Sequence, residues 1–289
     1  MNMNIRLKTI VTSILVLSLW SCEDVIQVDV PSEDPRLIVD AIVRVDVEQP
    51  VTLVRVKVSE TNSFFGTVPP ANLQQITMSN LDNPGGDGQV LNEEVPGSGI
   101  YSEFFPTDEL IADTWFLQID FEDKFFVATS NFVPTVPINS LTQGTETLFD
   151  EDDIEVIVNF TDAPDREDFY LFDFDLDNFL VSEDTFFEGQ EFEFSYFYDD
   201  DIEPNTELEI SILGVDESFY NYMDQLIIQS GDDFGPFETP ALTVRGNIIN
   251  ATDIDNDNNF NNLNSANNFA LGYFAIVQEY KSTITITEN

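Results

Sequence analysis

Alternation of apolar and polar residues is the dominant pattern of the chain from residue 37 onward. The run Leu37–Val45 is rich in β-branched residues, and a turn at Pro50 leads into Val51–Val58, where valines alternate with Arg55 and Lys57. A two-residue period of this kind is typical of a strand with one buried face. The two runs predict two consecutive strands. They also hold or adjoin four of the eight basic residues beyond the N-terminal segment, which offset the surrounding acid locally.

Further strands are predicted where short apolar or alternating runs lie between segments rich in Gly and Pro. In the first half of the chain these runs are Ile76–Met78, Trp115–Phe121 and Lys124–Ala128. In the second half they are Ile154–Phe160, Phe169–Leu176, Phe192–Tyr198, Leu208–Leu213, Leu271–Val277 and Ser282–Ile286. Aromatic residues alternate with acidic or polar residues in the second and third of these, which predicts strands with one face in water.

One amphipathic helix is predicted near residues 216–230. Asp216, Glu217 and Ser218 offer capping side chains at its start, and Gly231 follows its end. Apolar residues then recur at helical spacing, at Phe219, Tyr222, Met223, Leu226 and Ile227. This stripe is expected to pack on the second sheet of the protein.

The order of these elements predicts a mainly β fold with two domains. Residues 36–133 are predicted to form an N-terminal immunoglobulin-like antiparallel sandwich, and residues 134–289 a second β-rich domain that carries the one helix. The segment Phe132–Pro137 is predicted to be an extended connector, since each Pro disfavours a helix at the residue before it.

The first 21 residues have the layout of a signal peptide. Arg6 and Lys8 precede an apolar run of about a dozen residues, which is shorter than the roughly 20 needed to span a bilayer. The run ends in Leu19-Trp20-Ser21-Cys22, which resembles a bacterial lipobox. The resemblance implies cleavage before Cys22 and attachment of lipid to that cysteine, and the alternative is an ordinary signal peptide with an incidental cysteine.

The segment 22–35 is acidic and is predicted to tether the folded region to the membrane. Its start, Cys22-Glu23-Asp24, resembles the acidic signal that sends some Bacteroidota lipoproteins to the outer face of the outer membrane. The expected location is therefore the outer membrane, with a lipid anchor and exposure on the cell surface. The periplasmic face stays open as an alternative.

The charge of the chain excludes several classes of partner. It contains 55 acidic and 10 basic residues, and two of the basic ones belong to the signal peptide. Such a chain repels phosphate backbones and anionic headgroups, so we expect no nucleic-acid partner and no membrane binding through a basic patch. Solubility or a saline habitat accounts for the acid, and selective cation binding is the alternative.

The composition also argues against an enzyme. The chain has no histidine and only one cysteine, so it lacks the commonest general base and, once Cys22 is lipidated, any free thiol. Paired carboxylates could serve a glycosidase, but with 55 acids no pair stands out. We therefore expect a non-enzymatic protein.

A candidate calcium site lies late in the chain. Asp253, Asp255, Asp257 and Asn259 present oxygen ligands at alternate positions, as in the first half of an EF-hand loop. The next positions depart from that pattern, because Asn258 stands where Gly is expected. A solvated Asn-rich loop is the alternative, and calcium is the only cofactor considered.

Several short motifs follow the lipobox in a fixed order. They are Leu37–Ile42, Gly99–Tyr101, Asp168–Tyr170, Phe219–Tyr222, Gly246–Ile248 and Leu271–Phe274. Their order and spacing resemble a family of Bacteroidota cell-envelope lipoproteins classed as a domain of unknown function. The stretch between Asn250 and Asn268 is longer than the family pattern suggests, and no catalytic residue carries over.

The resemblance implies an outer-membrane lipoprotein, often encoded beside a TonB-dependent receptor. The expected function is that of a lipid-anchored accessory protein that binds a ligand or docks on such a receptor. Two alternatives stay open, namely a surface glycan-binding or glycan-cleaving module and a calcium-binding structural or adhesive envelope protein.

Overall fold

The computed structural model describes residues 34–63, 66–83, 85, 88–148, 153–198, 202–230, 243–252, 254 and 269–288. In this part of the chain the fold is mainly β, with several antiparallel sheets in a sandwich-like arrangement and two helices. The predicted fold class is confirmed. No helix among the described residues is both long and apolar enough to cross a bilayer.

Seventeen strands and two helices are described. The strands are β1 (Leu37–Val45), β2 (Val51–Glu60), β3 (Gln75–Asn80), β4 (Gln89–Val90), β5 (Asn92–Glu93), β6 (Ile100–Pro106), β7 (Trp115–Phe121), β8 (Lys124–Ser130), β9 (Phe132–Val133), β10 (Ile138–Gln143), β11 (Ile154–Thr161), β12 (Phe169–Asp173), β13 (Phe179–Glu183), β14 (Glu191–Tyr198), β15 (Glu207–Val215), β16 (Ile249–Asn250) and β17 (Leu271–Thr285). The helices are α1 (Thr107–Ala112) and α2 (Glu217–Ser230).

A nine-stranded central sheet runs through the fold in the order β13-β12-β15-β17-β1-β2-β6-β5, with β9 paired to β17 beside this path. Its pairs are antiparallel except for β1 with β17 and β9 with β17, which are parallel. Two smaller sheets accompany it, β16-β8-β7-β3-β4 and β10-β11-β14. The first and last long strands of the described chain thus lie side by side at the middle of the largest sheet.

Two cores lie against one face of the central sheet. The first includes Val39, Val56 and Phe274 from that sheet with Met78 and Leu117 from the five-stranded sheet. The second is rich in aromatic residues and joins strands β12 and β15 to the three-stranded sheet. Its rings meet at close range, as where Phe172 and Phe194 make an edge contact with centroids 5.1 Å apart.

A third cluster lies under helix α2 on the opposite face. Phe219 and Met223 of the helix pack there with Leu171, Leu213 and Tyr273 of the central sheet. The helix begins where Asp216 caps it, since the Asp216 Oδ1 atom accepts a hydrogen bond of 2.7 Å from the Phe219 amide. The predicted helix and its packing on a sheet are confirmed.

The predicted wet face of Phe169–Leu176 is wrong, whereas that of β14 is confirmed. Leu171 is buried because α2 covers it, but Glu191 and Glu193 of β14 are exposed. Strand β12 also ends earlier than predicted, at Asp173. The residues that follow, including Leu176, turn through the left-handed region with positive φ, which stops the extended backbone.

The two strands predicted near the C-terminus are one strand of 15 residues. Gln278, which follows the first of the two predicted runs, lies buried and paired within β17. Its side-chain oxygen accepts a hydrogen bond of 2.9 Å from the Thr135 amide, so the polar group is satisfied inside the sheet. The strand therefore continues past it.

The first core draws on both of the sequence ranges that were predicted as domains. Ile248, Ala270, Phe274 and Ile276 join it from beyond residue 133, and Pro35–Asn62 and Gly66–Asn289 belong to one compact unit. The division at residue 133 stays a prediction about independent folding.

Candidate functional site

One face of the central sheet is continuous from β12 to β1. Leu171 lies opposite Leu213, Leu213 lies opposite Glu279, and Ala275 on the same strand as Glu279 lies opposite Ile42. Helix α2 packs over β12, β15 and the first half of β17. The face beyond the helix, on β1, β2 and β6, keeps its side chains half-buried or exposed.

A groove of about 600 Å³ lies at the margin between α2 and this uncovered face, and we call it the β1–β2 groove. Its apolar lining comes from Ile42, Leu53, Ile100, Leu171, Phe179 and Met223. Its charged lining comes from Asp40, Arg44, Arg55 and Lys57. Three of the eight basic residues that follow the signal peptide therefore share one concave surface. Its volume lies within the range of roughly 300–1,000 Å³ that is usual for small-molecule sites.

Arg44 is held in place by two carboxylates. Its Nη2 atom donates to Asp173 Oδ2 at 2.7 Å, and its Nη1 atom donates to Glu279 Oε1 at 3.0 Å. Burial alone lowers the pKa of Arg44, but the hydrogen bonds and charges of the two acids outweigh it and the pKa is raised. Its charge is thus neutralised within the protein.

Arg55 is also paired, in this case at the surface. Its Nε and Nη2 atoms donate to the two carboxylate oxygens of Glu94 at 2.8 and 3.0 Å. This bidentate bond lowers the pKa of Glu94. The pair fixes the guanidinium at the rim of the β1–β2 groove.

Asp40 and Lys57 are the two charged residues of the groove that stay unpaired. They lie directly opposite each other on the antiparallel strands β1 and β2. Within the described residues, neither side chain takes part in a hydrogen bond or an ion pair, and both residues are exposed. The carboxylate of Asp40 faces α2 closely enough that burial and, to a smaller extent, this charge raise the pKa of Tyr222 to about 12.

The groove therefore combines apolar walls with one available carboxylate and one available ammonium. Such an arrangement can orient a small molecule through its charges while its apolar part is desolvated. The sequence does not predict the groove, although it shows that Arg55 and Lys57 alternate with valines along β2. The helix that completes the groove comes from residues more than 150 positions away.

A second cluster joins three buried aspartates. Asp162, Asp168 and Asp184 follow or precede strand ends, and ligand atoms from all three lie within 4.8 Å of one another. Burial raises the pKa of Asp168 even though Arg166, whose Nε donates to it at 2.5 Å, acts in the opposite direction. The hydroxyl of Tyr170 donates to Asp162 and lies 3.2 Å from Asp168 Oδ2.

Backbone amides complete this cluster. Gly189 N donates to Asp162 Oδ2 at 2.6 Å, and Asp168 N donates to Asp184 Oδ2 at 2.8 Å. The carboxylates of the cluster accept hydrogen bonds from side chains and backbone amides of the protein, and a bound cation would have to displace these donors. The hydrogen bonds of the cluster tie the ends of β11, β12 and β13 together.

The site residues predicted from the sequence lie outside the described residues. This holds for the lipidation site Cys22 and for the four calcium candidates Asp253, Asp255, Asp257 and Asn259. Lipidation and calcium binding therefore stay predictions.

Comparison with known proteins identifies the family. Residues 23–283 match the family model described as "Domain of unknown function (DUF4249)", and the chain belongs to this family. The search of curated proteins gave no match.

Proposed function

We propose that this member of the DUF4249 family is a non-enzymatic, lipid-anchored accessory protein of the outer membrane that binds a small molecule in the β1–β2 groove. The observation that carries the proposal is the groove itself, in which Asp40 and Lys57 have no side-chain partner in the described part of the chain and lie beside an apolar wall. The lack of histidine supports a binding role over a catalytic one.

The anchor is proposed from the sequence around Cys22. The lipobox-like Leu19-Trp20-Ser21-Cys22 follows an apolar run of signal-peptide length, and the resemblance to Bacteroidota envelope lipoproteins supports the same location. Because the rest of the chain is strongly acidic, acyl chains are the expected means of attachment.

The anchor is tested by replacing the proposed lipidated residue. We expect Cys22→Ser to move the protein from the membrane fraction to the soluble fraction, because no acyl chain can be attached. Ser21→Ala is the matched control, since it keeps a small residue before the cysteine and should leave the protein in the membrane. Retention of the Cys22→Ser protein in the membrane would refute the anchor.

The binding role is tested with a screen of small molecules in four charge classes, namely neutral, anionic, cationic and zwitterionic. Binding is measured by NMR from amide shifts of the uniformly labelled protein without its signal peptide. Shifts that concentrate on β1, β2 and the adjoining turn of α2 for at least one class would support the groove as a binding site. The absence of such shifts in all four classes would overturn it.

Docking on a TonB-dependent receptor is a second candidate, and an exposed apolar strip beside the groove favours it. Val51, Leu53 and Phe104 are 50%, 40% and 58% exposed, and Leu53 lies opposite Phe104 across the β2–β6 pair. Apolar side chains that are contiguous in this way are typical of a contact surface.

Docking is tested by co-purification after extraction in a mild detergent. We expect a receptor to co-purify with the native chain and to be lost with Phe104→Asp. Phe125→Asp alters a residue of similar exposure on β8, 49%, and should have no effect. Equal recovery of a receptor with both variants would exclude the strip as the docking surface.

A further inference from the structure

The charges that a ligand of the β1–β2 groove can use follow from the pairing within the groove. Arg44 and Arg55 already bond to carboxylates of the protein. Asp40 and Lys57 have no such partner among the described residues, so one negative and one positive group are available to a ligand.

The charge of the whole chain acts against an anionic ligand. The formal net charge is −45, which repels anions at long range until salt screens the field beyond about 8 Å. A purely cationic ligand would place its charge beside the unpaired ammonium of Lys57 and give that group no counter-charge. A molecule with no net charge is free of both penalties.

The spacing of the two available charges suits a molecule that carries both signs. Residues directly opposite each other on antiparallel strands have Cβ atoms about 5 Å apart and point to the same face. The ammonium and carboxylate groups are a few ångströms apart in an amino acid and about 7 Å apart in an extended dipeptide, a range that the long side chain of Lys57 can span. Both charges of such a molecule can therefore be met at once.

The apolar lining supplies a place for a side chain. Ile42 adjoins Asp40 on β1, Ile100 lies opposite Lys57 on β6, and Met223 lines the groove from helix α2. Burial of an apolar side chain between these residues would contribute hydrophobic free energy that a purely polar zwitterion cannot.

We propose that the β1–β2 groove binds a zwitterionic amino acid or short peptide with an apolar side chain. Its carboxylate lies on Lys57, its ammonium lies on Asp40, and its side chain packs against Ile42, Ile100 and Met223. This inference rests on the proposed function of the groove as a binding site and assigns the class of its ligand.

The test uses L-leucyl-L-leucine and two modified forms, one acetylated at the amino end and one amidated at the carboxyl end. Free leucine is added as a separate arm, and it distinguishes an amino-acid site from a peptide site. Affinities are measured by calorimetry or NMR titration on the full chain without its signal peptide. We expect each modification to weaken binding about tenfold, because each removes one of two charge contacts.

Variants of the protein assign each contact. Lys57→Gln should weaken binding of the unmodified dipeptide about tenfold but leave binding of the amidated form unchanged. Asp40→Asn should weaken binding of the unmodified dipeptide about tenfold but leave binding of the acetylated form unchanged. The matched controls are Lys124→Gln and Asp123→Asn in the β7–β8 turn, where the side chains of the same two residue types have no partner among the described residues. Neither control should alter binding.

The outcomes separate this inference from the function on which it rests. Equal binding of all three dipeptide forms, or no binding of leucine and dileucine, would overturn the zwitterion assignment. In either case the four-class screen decides whether the groove binds another class of molecule. Unchanged unfolding midpoints of the variants would show that any loss of affinity is local.

Discussion

At the scale of single residues, the fold depends on buried polar groups that are satisfied one by one. Tyr170 is the clearest case, since its hydroxyl donates to the buried Asp162 and lies beside Asp168. Burial and both acids raise the pKa of Tyr170, so the hydroxyl keeps its proton and stays a donor. If the buried carboxylate of Asp162 lost this donor, it could not form a hydrogen bond to solvent water in its place.

Removal of the Tyr170 hydroxyl should therefore destabilise the protein. We expect Tyr170→Phe to lower the free energy of unfolding by about 1–3 kcal/mol, because it leaves a buried acceptor unsatisfied. Urea denaturation measures the change. Tyr222→Phe removes a hydroxyl that has no hydrogen bond among the described residues and should cost less. Equal losses from the two variants would contradict the role of the Tyr170 hydroxyl.

Hydrogen bonds to Glu155 make the stability of the folded protein depend on pH. Its carboxylate accepts a hydrogen bond of 2.5 Å from Ser195 Oγ and one of 2.9 Å from the Glu146 amide, and these bonds lower the pKa of Glu155. A carboxyl group whose pKa is lower in the folded state stabilises that state above its unfolded pKa. The contribution is lost as the pH falls through the folded pKa.

Ser195→Ala should thus destabilise the protein in a pH-dependent way. We expect its unfolding midpoint in urea to fall below that of the native chain at neutral pH, and the difference to shrink as the pH drops below about 4. Ser140→Ala, on an exposed position of the same sheet, serves as the control. A difference that stays constant with pH would rule out the contribution of Glu155.

At the scale of elements, local patterns predicted most of the strands and missed where they end or join. The predicted bounds of β1 and β7 match the structure, because each is an apolar or alternating run with turn residues on both sides. The ends of β12 and the unbroken β17 depended on backbone φ at Leu176 and on a bond from Thr135 to Gln278. Neither the φ angle at Leu176 nor the bond to Gln278 is indicated by the pattern of neighbouring residues in the sequence.

At Gly272, near the start of β17, the contact with the neighbouring strand β1 restricts which residue can be accommodated. It has φ of +99°, and a Cβ atom there would overlap the carbonyl oxygen of Val39 on the parallel neighbour β1. The close approach of β17 to β1 requires a residue without a side chain.

We expect Gly272→Ala to cost more than about 3 kcal/mol of unfolding free energy, because strain and steric overlap add. Gly97→Ala is the matched control, since φ there is +83° but the space around it is open, and it should cost only about 1–2 kcal/mol. Thermal and urea unfolding measure both. Similar losses would show that backbone strain alone matters at Gly272.

At the scale of the whole molecule, the central sheet connects distant parts of the chain. Strand β1 pairs with β2 on one side and with β17 on the other, and Ile38 lies opposite Leu271. The first core also includes Ile248, Phe274 and Ile276. The region 36–133 therefore takes part of its interior from the end of the chain.

The independence of the predicted domains can be tested by truncation. We expect a fragment of residues 36–133 to lack cooperative unfolding, because it exposes the edge of β1 and leaves the first core without β17. The chain from residue 36 to its end is the control and should unfold cooperatively. A sharp, reversible transition of the fragment would contradict this expectation and support two independent domains.

The sequence by itself determined the β-rich class, most strands, helix α2 and its capping by Asp216, because alternation and capping act between residues close in the chain. It also carried the prediction of lipidation at Cys22. Only the tertiary structure decided that β17 lies beside β1, and that α2 covers one part of the central sheet but not the rest. The groove that holds Asp40 and Lys57 follows from those contacts. They depend on packing between residues far apart in the chain, and no local pattern encodes such packing.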